Sequence, residues 1–255
     1  MTTGSTTVAD ARADAIAAAE RAGTTVRELT AADIRSVRAV IAQVWGPQQA
    51  PQSNLLQALA HAGNPVLMAL RGGTPVGAAF GFLGWNDGVH LHSHMAGVVA
   101  GSESLGIGWA LKLAQRAVCL REGITEMRWT FDPLVARNAY FNLVKIGGRV
   151  RAFHPDLYGD MDDVVNSGDQ SDRFEVTWRL DAPLSRGTSA GFDDGRSVRV
   201  PVPADYLALR GTDPAAAREA RRVSSEQFTR LFSDGLTPSW AGDGYCFTTG
   251  GTSLD

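Results

Sequence analysis

The chain has 255 residues, of which 44% are hydrophobic and 20% are charged, a composition typical of a globular protein with a buried core and not of a disordered chain. The formal net charge is -3, so no basic excess favours broad electrostatic binding to nucleic acid. Two cysteines, Cys119 and Cys246, are too few for a disulfide scaffold, which predicts a reducing, cytoplasmic compartment.

The first sixty residues are predicted to be mainly helical. Alanine-rich sequence with interspersed charges favours a surface helix that ends at Gly23. Thr30 and Asp33 have the spacing of a capping box, and the apolar positions that follow repeat with a helical period. The tail lacks the basic region and apolar run of a secretory signal, so none is predicted. The predicted elements are a tail, a helix, a short strand and two further helices at residues 1–7, 8–21, 24–29, 34–44 and 53–61.

Three strands are predicted next, at residues 65–70, 75–83 and 89–98. The pair Gly72-Gly73 between the first two suits a tight hairpin turn, and Asn86-Asp87-Gly88 predicts a second turn. Two long stretches in this part of the chain lack charged residues, but proline and glycine interrupt both. No membrane span is therefore predicted.

The remaining sequence alternates between helical and strand patterns and then becomes polar. The predicted elements are a loop, a helix ending at Gly123, a strand, a helix and two strands at residues 101–108, 109–123, 124–131, 134–146, 150–153 and 174–180. Antiparallel hairpins followed by a β-α-β unit predict a mixed sheet of the α/β (α+β) class. The predicted domains are a tail and helix (residues 1–23), a core domain (24–180) and a C-terminal extension or subdomain (181–255), in which only residues 213–232 have a helical pattern.

A glycine-rich loop offers the clearest sign of chemistry. It reads Glu103-Ser104-Leu105-Gly106-Ile107-Gly108 and lies between an apolar strand and a helix. Glycines let a ligand approach the backbone, and free N–H groups at a helix start attract an anion such as a pyrophosphate. An ordinary strand-to-helix turn is the alternative. Leu111 stands where a dinucleotide fingerprint would have its third glycine, and the Gly-Lys-Ser/Thr of a Walker loop is absent.

The segments around this loop resemble those of the GNAT acyltransferase superfamily, over about residues 25–180. The resemblance rests on a strand end, the loop, a later strand and a later helix: Met95-Ala96-Gly97-Val98, Glu103 to Gly108, residues 124–131, and Asn138-Ala139 through Lys145-Ile146-Gly147. A closer resemblance to a poorly characterised branch of that superfamily rests on short segments at residues 92–95, 111–112, 115–116, 129–134, 138–142, 157–161 and 172–173.

The resemblance implies a GNAT-like mixed, mostly antiparallel sheet flanked by helices, and acetyl-CoA or another acyl-CoA as cosubstrate. The cofactor-binding residues that it implies are Gly97, Val98, Ser104, Leu105, Gly106, Ile107, Gly108 and Asn138. Two positions depart from the family pattern. Glu103 replaces the usual Gln or Arg, and Leu143 occupies the position of the usual general-acid tyrosine. Tyr140 is nearby in sequence, although a core or surface role is the simpler interpretation.

Acyl transfer to an amine needs a base, because an alkyl amine is mostly protonated near pH 7. His90, His92 and His94 alternate along one strand beside the loop, and His92 or His94 is a candidate base. Hydrogen-bonded structural histidines and a zinc site are the alternatives. Asp132, at the end of the next strand, is a third candidate, either as base or as partner of a substrate ammonium. A turn-forming Asp-Pro explains it equally well.

The predicted function is direct transfer of an acetyl or succinyl-type group from CoA to the primary amine of a small molecule, with no metal required. The alternatives are a non-catalytic acyl-CoA-binding module, for which Leu143 argues, and a GNAT fold with other acyl-thioester chemistry. Neither nucleic acid nor membrane is an expected partner. A second copy of the chain is an open alternative as a partner.

Overall fold

The computed structural model describes residues 5–103, 105–159, 169–185, 187 and 197–249. These residues form two compact units. The first holds the described residues up to Trp129 together with Arg179–Pro183, and the second holds the others. The divisions fall inside strands, between Trp129 and Thr130 and between Trp178 and Arg179. Among the helices in the described ranges, none is both long and apolar enough to cross a membrane.

The first unit alternates helices with strands along the chain. Its elements are α1 (Val8–Arg21), β1 (Thr25–Glu28), a 3₁₀ turn (Ala31–Asp33), α2 (Ile34–Trp45), α3 (Ser53–His61), β2 (Val66–Arg71), β3 (Thr74–Gly84), β4 (His90–Val98), α4 (Ile107–Arg121) and β5 (Glu126–Phe131), whose last two residues lie in the second unit. The predicted helices at residues 8–21 and 53–61 are confirmed at these bounds.

Local sequence signals explain where these elements begin and end. The Thr7 hydroxyl accepts a hydrogen bond from the Asp10 N–H, and the Asp10 carboxylate accepts one from the Thr7 N–H, which caps α1. The predicted capping box of Thr30 and Asp33 is also present before α2. Gly72 and Gly73 have φ of 54° and 83°, the left-handed values that a two-residue hairpin turn between β2 and β3 requires.

The sheet is mixed and mostly antiparallel, as predicted. Strands β1 to β4 pair antiparallel in chain order, and β4 and β5 pair parallel. The full strand order is β1-β2-β3-β4-β5-β7-β6, where β6 (Arg149–His154) and β7 (Arg173–Arg179) are antiparallel strands of the second unit. Because the division between units crosses β5 and β7, both units contribute to these two strands.

Helices cover both faces of the first unit's strands. On one face, α2 and α3 pack Val37, Ile41 and Leu56 against strand residues that include Met68 and Phe80. On the other face, α4 contributes Ile107, Leu111 and Val118 to a second cluster with Leu67 and Ala69 of β2. Residues that alternate along a strand point to opposite faces, so β2 supplies both clusters.

The second unit contains the C-terminal part of the chain. Its further elements are α5 (Ala136–Ala139), a π-helix (Tyr140–Lys145), β8 (Val198–Pro201), α6 (Tyr206–Thr212), α7 (Pro214–Ser233), β9 (Leu236–Trp240) and β10 (Gly244–Thr249). Strands β8, β10 and β9 form a separate antiparallel sheet in that order. The single helix predicted at residues 134–146 is instead a short α-helix that widens into π geometry.

Aromatic rings form the core of the second unit. Phe174 of β7 lies 4.8 Å from Phe228 of α7 and 5.0 Å from Tyr245 of β10, measured between ring centroids. Phe228 also stacks on Phe247 at 5.8 Å and meets the Tyr245 ring edge to face at 5.7 Å. The C-terminal residues that lacked a strong sequence pattern therefore pack onto β7 through large buried side chains.

Candidate functional site

The parallel strands β4 and β5 are joined only at their beginnings. In the described residues, their ladder has two register pairs, Leu91 with Met127 and His92 with Arg128. Strand β4 continues for six more residues to Val98. Because no register pair follows among these residues, the edge of β4 beyond His92 is not paired with β5, and we call this unpaired edge the gap along β4. Backbone polar groups that border such a gap can hydrogen-bond a ligand.

A β-bulge lies where the gap begins. Phe80 is paired with Met95, whereas Phe82 is paired with His92, so one residue of β3 faces two residues of β4. The single residue is Gly81, and a Cβ at this position would lie 2.6 Å from the His92 carbonyl oxygen. Glycine is therefore required for the close approach of the two strands at the bulge.

The hydrogen-bond direction of β4 distinguishes its last residues. The N–H of Val99 donates to the Val76 carbonyl of β3. Since backbone groups alternate in direction along a strand, Gly97 also faces β3, while Ala96 and Val98 face the gap. Of the two β4 residues expected to bind the cofactor, Val98 therefore has the backbone direction that a ligand in the gap needs. Gly97 has a packing role, because a Cβ there would overlap the ring of Trp45.

The predicted cofactor loop leads directly into α4. Gly106 has φ of 87° and is the residue that caps the 15-residue helix α4. Its N–H and those of Ile107 and Gly108 are at the helix start, where no carbonyl of a preceding turn can accept them. The Glu103 carboxylate accepts a hydrogen bond from the Gly101 N–H at 2.6 Å, so it is turned towards its own loop. Ser104 lies outside the described residues, and Leu105 is exposed.

Two of the three strand histidines form a cluster with an aromatic ring. The ring centroids of His92 and His94 are 5.8 Å apart, and Phe82 lies 5.1 Å and 5.6 Å from them. Although the His94 side chain is exposed overall, partial desolvation of its ring lowers its pKa below the ordinary histidine value. His90 differs from both, because it is buried and its Nδ1 lies 2.9 Å from the Gly88 carbonyl oxygen.

Metal binding has no geometric support in the described ranges. Within residues 5–103, 105–159, 169–185, 187 and 197–249, no group of three or more His, Cys, Asp and Glu side chains is arranged to hold a metal ion.

A buried polar cluster joins β4, at the beginning of the gap, to α4. Lys112 of α4 donates a hydrogen bond from Nζ to the Ser93 hydroxyl at 2.8 Å, and its Nζ lies 4.0 Å from the centroid of the Trp129 ring. The Ser93 hydroxyl donates to Gln115 Oε1, also at 2.8 Å. Burial lowers the pKa of Lys112 to about 7. We call Ser93, Lys112 and Gln115 the donor cluster.

Sequence reasoning missed this cluster. All three residues entered only within segments of the family resemblance, at residues 92–95, 111–112 and 115–116. The usable signal was a lysine at a position where the helical period of α4 places buried residues, between Leu111 and Leu113. A charged residue on a buried helix face is uncommon and has a specific partner in most structures.

Asp132 belongs to the second unit and is strongly paired. Its two carboxylate oxygens accept hydrogen bonds from Arg221 of α7, at 2.9 Å for Oδ1 and 2.6 Å for Oδ2. Oδ1 also accepts the N–H of Leu134 at 2.9 Å. Arg221 in turn donates to Asp169, which also accepts the Tyr206 hydroxyl. With both oxygens occupied, the carboxylate has the contacts of a structural ion pair, which favours the turn-forming interpretation over the base.

The other predicted residues of this unit have varied surroundings. Asn138 is half-buried in α5, and its N–H donates to the Val135 carbonyl. Leu143 is buried in the π-helix, while Tyr140 is exposed. The hydroxyl of Tyr158 lies 3.0 Å from that of Thr130, a pair that sequence reasoning did not anticipate.

Known proteins share this architecture, although sequence comparison does not find them. No protein-family model matches the chain, and no curated protein matches it. A structure of Naa50 from Arabidopsis thaliana, in complex with the bisubstrate analogue CoA-Ac-MVNAL, is 14% identical with a TM-score of 0.50 and covers 61% of this chain and 98% of its own.

Two bacterial structures are similar to the same extent. The yncA protein of Salmonella typhimurium, with its cofactor acetyl-CoA, is 18% identical with a TM-score of 0.50, covering 64% of this chain and 96% of its own. A GNAT superfamily phosphinothricin acetyltransferase of Sinorhizobium meliloti, in complex with AcCoA, is 17% identical with a TM-score of 0.50. It covers 68% of this chain and 95% of its own. The fold predicted from the loop and its flanking segments is confirmed: this chain has the GNAT acetyltransferase fold.

Proposed function

We propose that the protein is an acyl-CoA-dependent N-acyltransferase. The observation that carries this proposal is the gap along β4, which opens after two register pairs and leads to a glycine-capped helix start. A long, thin ligand with a diphosphate at one end matches this arrangement. The GNAT fold supports the same ligand, because two similar structures contain acetyl-CoA.

The diphosphate of CoA is proposed to bind the loop before α4. The N–H groups of Gly106, Ile107 and Gly108, with Ser104 and Leu105 as further predicted contacts, are suited to an anion because they have no helical acceptor. Ile107 contributes through its backbone, since its side chain is buried in the core. The pantetheine arm would then extend along β4, whose Ala96 and Val98 backbone groups face the gap. Asn138 stays a prediction as a further contact of that arm.

The chemistry needs a polarised thioester and a neutral amine. The N–H of Val98, or that of Ala96 two residues further into the gap, is placed to donate to the thioester oxygen as negative charge develops. The amine nitrogen attacks the carbonyl carbon, its proton passes to a base, and the thiolate of CoA leaves. His94 is the favoured base, with His92 as the other predicted candidate, because the lowered pKa keeps its ring neutral and able to accept a proton.

Protonation of the departing thiolate has no obvious side chain. Leu143 is buried at the position where the family has a tyrosine, so water is the proposed proton source. The same leucine supports the second candidate function, a module that binds acyl-CoA without transferring the acyl group. The proposed acceptor is the primary amine of a small molecule. The proposed location is a reducing cytoplasmic compartment, because both cysteines are buried and free.

A pair of matched glycine variants tests CoA binding. Gly106 and Gly63 have φ of 87° and 82°, and an added Cβ at either position meets no atom closer than 3.7 Å. Both Gly→Ala changes therefore impose similar backbone strain, about 1–2 kcal/mol. Gly106→Ala should weaken CoA binding at least about tenfold by calorimetric titration, because it misaligns the first amides of α4. Gly63→Ala should bind CoA like the unmodified protein.

Turnover separates the two candidate functions. The protein is mixed with acetyl-CoA and a panel of amines, and release of free thiol is followed. Thiol release that depends on an added amine supports the transferase. Saturable CoA binding with no release for any amine would support the binding module, and no saturable binding would overturn both.

A further inference from the structure

The donor cluster contains more hydrogen-bond donors than acceptors. Lys112 is 4% exposed and Gln115 is fully buried. Among the residues that the structure describes, the Nε2 of Gln115 has no hydrogen-bond partner. A protonated lysine brings three donors and no acceptor, and a Gln amide nitrogen brings two. Leaving a buried donor unpaired costs about 1–3 kcal/mol, so this arrangement favours a ligand that supplies acceptors.

The positive charge of protonated Lys112 also favours a ligand that supplies acceptors. In the described part of the chain, no carboxylate forms an ion pair with Lys112, which contacts the Ser93 hydroxyl and the face of the Trp129 ring. Cys119 also faces the lysine, but burial raises the pKa of its thiol to about 12, so the thiol stays neutral. An aromatic face attracts a cation but does not neutralise it. A group that only accepts hydrogen bonds and carries a negative charge complements both the lysine and the amide. A carboxylate is the simplest group with these properties.

The cluster lies at the closed end of the gap along β4. Ser93 directly follows His92, the β4 residue of the last register pair, and Trp129 directly follows Arg128, its partner on β5. All residues of the cluster and Trp129 belong to the first unit. A chain that enters the gap from the α4 start and runs along β4 towards its beginning therefore ends at Ser93 and Lys112.

We propose that the donor cluster binds the distal carboxylate of a dicarboxylic acyl group, of succinyl type, carried by CoA. The proposal rests on the proposed acyl-CoA function and names its acyl class. It requires the thioester to lie at Ala96 and not at Val98, because Ala96 is three residues along the strand from Ser93 and Val98 five, and a succinyl group is only four carbons long. An acetyl group is too short to reach the cluster. A longer alkyl acyl group could reach it but has no hydrogen-bond acceptor at its end.

Three thioesters and three variants test this proposal. Acetyl-CoA, butyryl-CoA and succinyl-CoA are titrated by calorimetry, since the last two have equal carbon counts and differ by the terminal carboxylate. The cluster variants are Lys112→Met and Gln115→Met, which replace polar side chains with unbranched apolar ones. Lys145→Met is the control, because Lys145 is the other lysine of the chain and lies outside the cluster.

The unmodified protein should bind succinyl-CoA at least about tenfold more tightly than butyryl-CoA, the effect of one charge-assisted hydrogen bond or more. Lys112→Met should remove this preference without weakening acetyl-CoA binding, Gln115→Met should reduce it, and Lys145→Met should preserve it. Equal affinities in the unmodified protein, or a preference that survives Lys112→Met, would overturn the acyl class while leaving the proposed function intact. Failure of all three thioesters and of CoA to bind would overturn both.

Discussion

At the scale of single residues, the buried Lys112 has a hydroxyl and an aromatic ring as its contacts. A lysine buried without a carboxylate is costly, since burial disfavours the charged form. Its pKa of about 7 means that the folded protein can hold it either charged or neutral near physiological pH. Such a residue lowers stability relative to an apolar one, so its presence is more easily explained by a ligand than by folding.

The lowered pKa of Lys112 predicts a pH-dependent stability. Between pH 7 and 10.5 the unfolded chain binds a proton that the folded chain does not, so the free energy of unfolding should rise with pH. The slope is at most about 1.4 kcal/mol per pH unit. Cys119 faces the lysine, and burial raises its pKa to about 12, so denaturant unfolding is best compared between pH 7 and 8.5, below the ordinary thiol value of 9.0. Lys112→Met should lose this rise, and Lys145→Met should retain it.

His94 predicts a pH profile of activity. Partial desolvation lowers its pKa, so the ring is neutral and able to act as a base down to pH values below the ordinary histidine range. kcat/KM should therefore fall only on the acidic side of that range, and His94→Gln should lower the rate and remove this acidic limb. The exposed His61 provides the control, as His61→Gln should leave the profile unchanged. An acidic limb that persists in His94→Gln would assign it to another group.

At the scale of elements, irregularities of regular structure border the gap along β4. The bulge opposite Gly81 bends β4, the register pairs with β5 stop at His92, and Gly106 takes a left-handed conformation before α4. At each irregularity, backbone N–H and C=O groups lack the hydrogen-bond partners that a continuous strand or helix would provide. The proposed ligand contacts in this region are therefore mostly backbone contacts, which depend on chain geometry and little on side-chain identity.

The ion pair between the end of β5 and α7 predicts a structural role for Asp132. Asp132→Ala should lower the free energy of unfolding by about 3 kcal/mol, because it leaves the buried Arg221 with only part of its charge compensated, by Asp169. Glu219→Ala, which removes an exposed ion pair with Arg222 on the same helix, should have a much smaller effect in the same denaturant titration. If Asp132→Ala instead abolished turnover at unchanged stability, the aspartate would be the base.

At the scale of the whole molecule, elements with strong local signals could be predicted and elements held by distant contacts could not. Helix α1 has a capping box and a terminal glycine, and its predicted bounds are correct. Strands β8 and β9 are short and contain Pro201 and Pro238, which argue against strands in a sequence pattern. Their pairing with β10 depends on packing that no local period reveals.

The candidate site likewise has parts with local sequence signals, which could be predicted, and parts that depend on distant contacts, which could not. The loop that ends at Gly108 could be found from the sequence because glycine and helix signals are local. The partner of Asp132 could not, since Arg221 is 89 residues away. The donor cluster joins residues of β4 and α4 that are 19 to 22 positions apart, and its chemistry appears only when the helix face that meets the strand is known.

The interior position of Lys112 also affects how the protein tolerates its own proposed cosubstrate. Thioesters acylate accessible amines without an enzyme, and lysine side chains are the amines of a protein that most often react in this way. This chain has two lysines, Lys112 and Lys145, and its other permanently cationic side chains are arginines, whose guanidinium stays protonated. Lys112 is buried from bulk solvent and is proposed to meet only the distal end of a bound acyl group, so the polypeptide offers few amines to free thioester. Thiol released in an assay would therefore report mainly on the added acceptor.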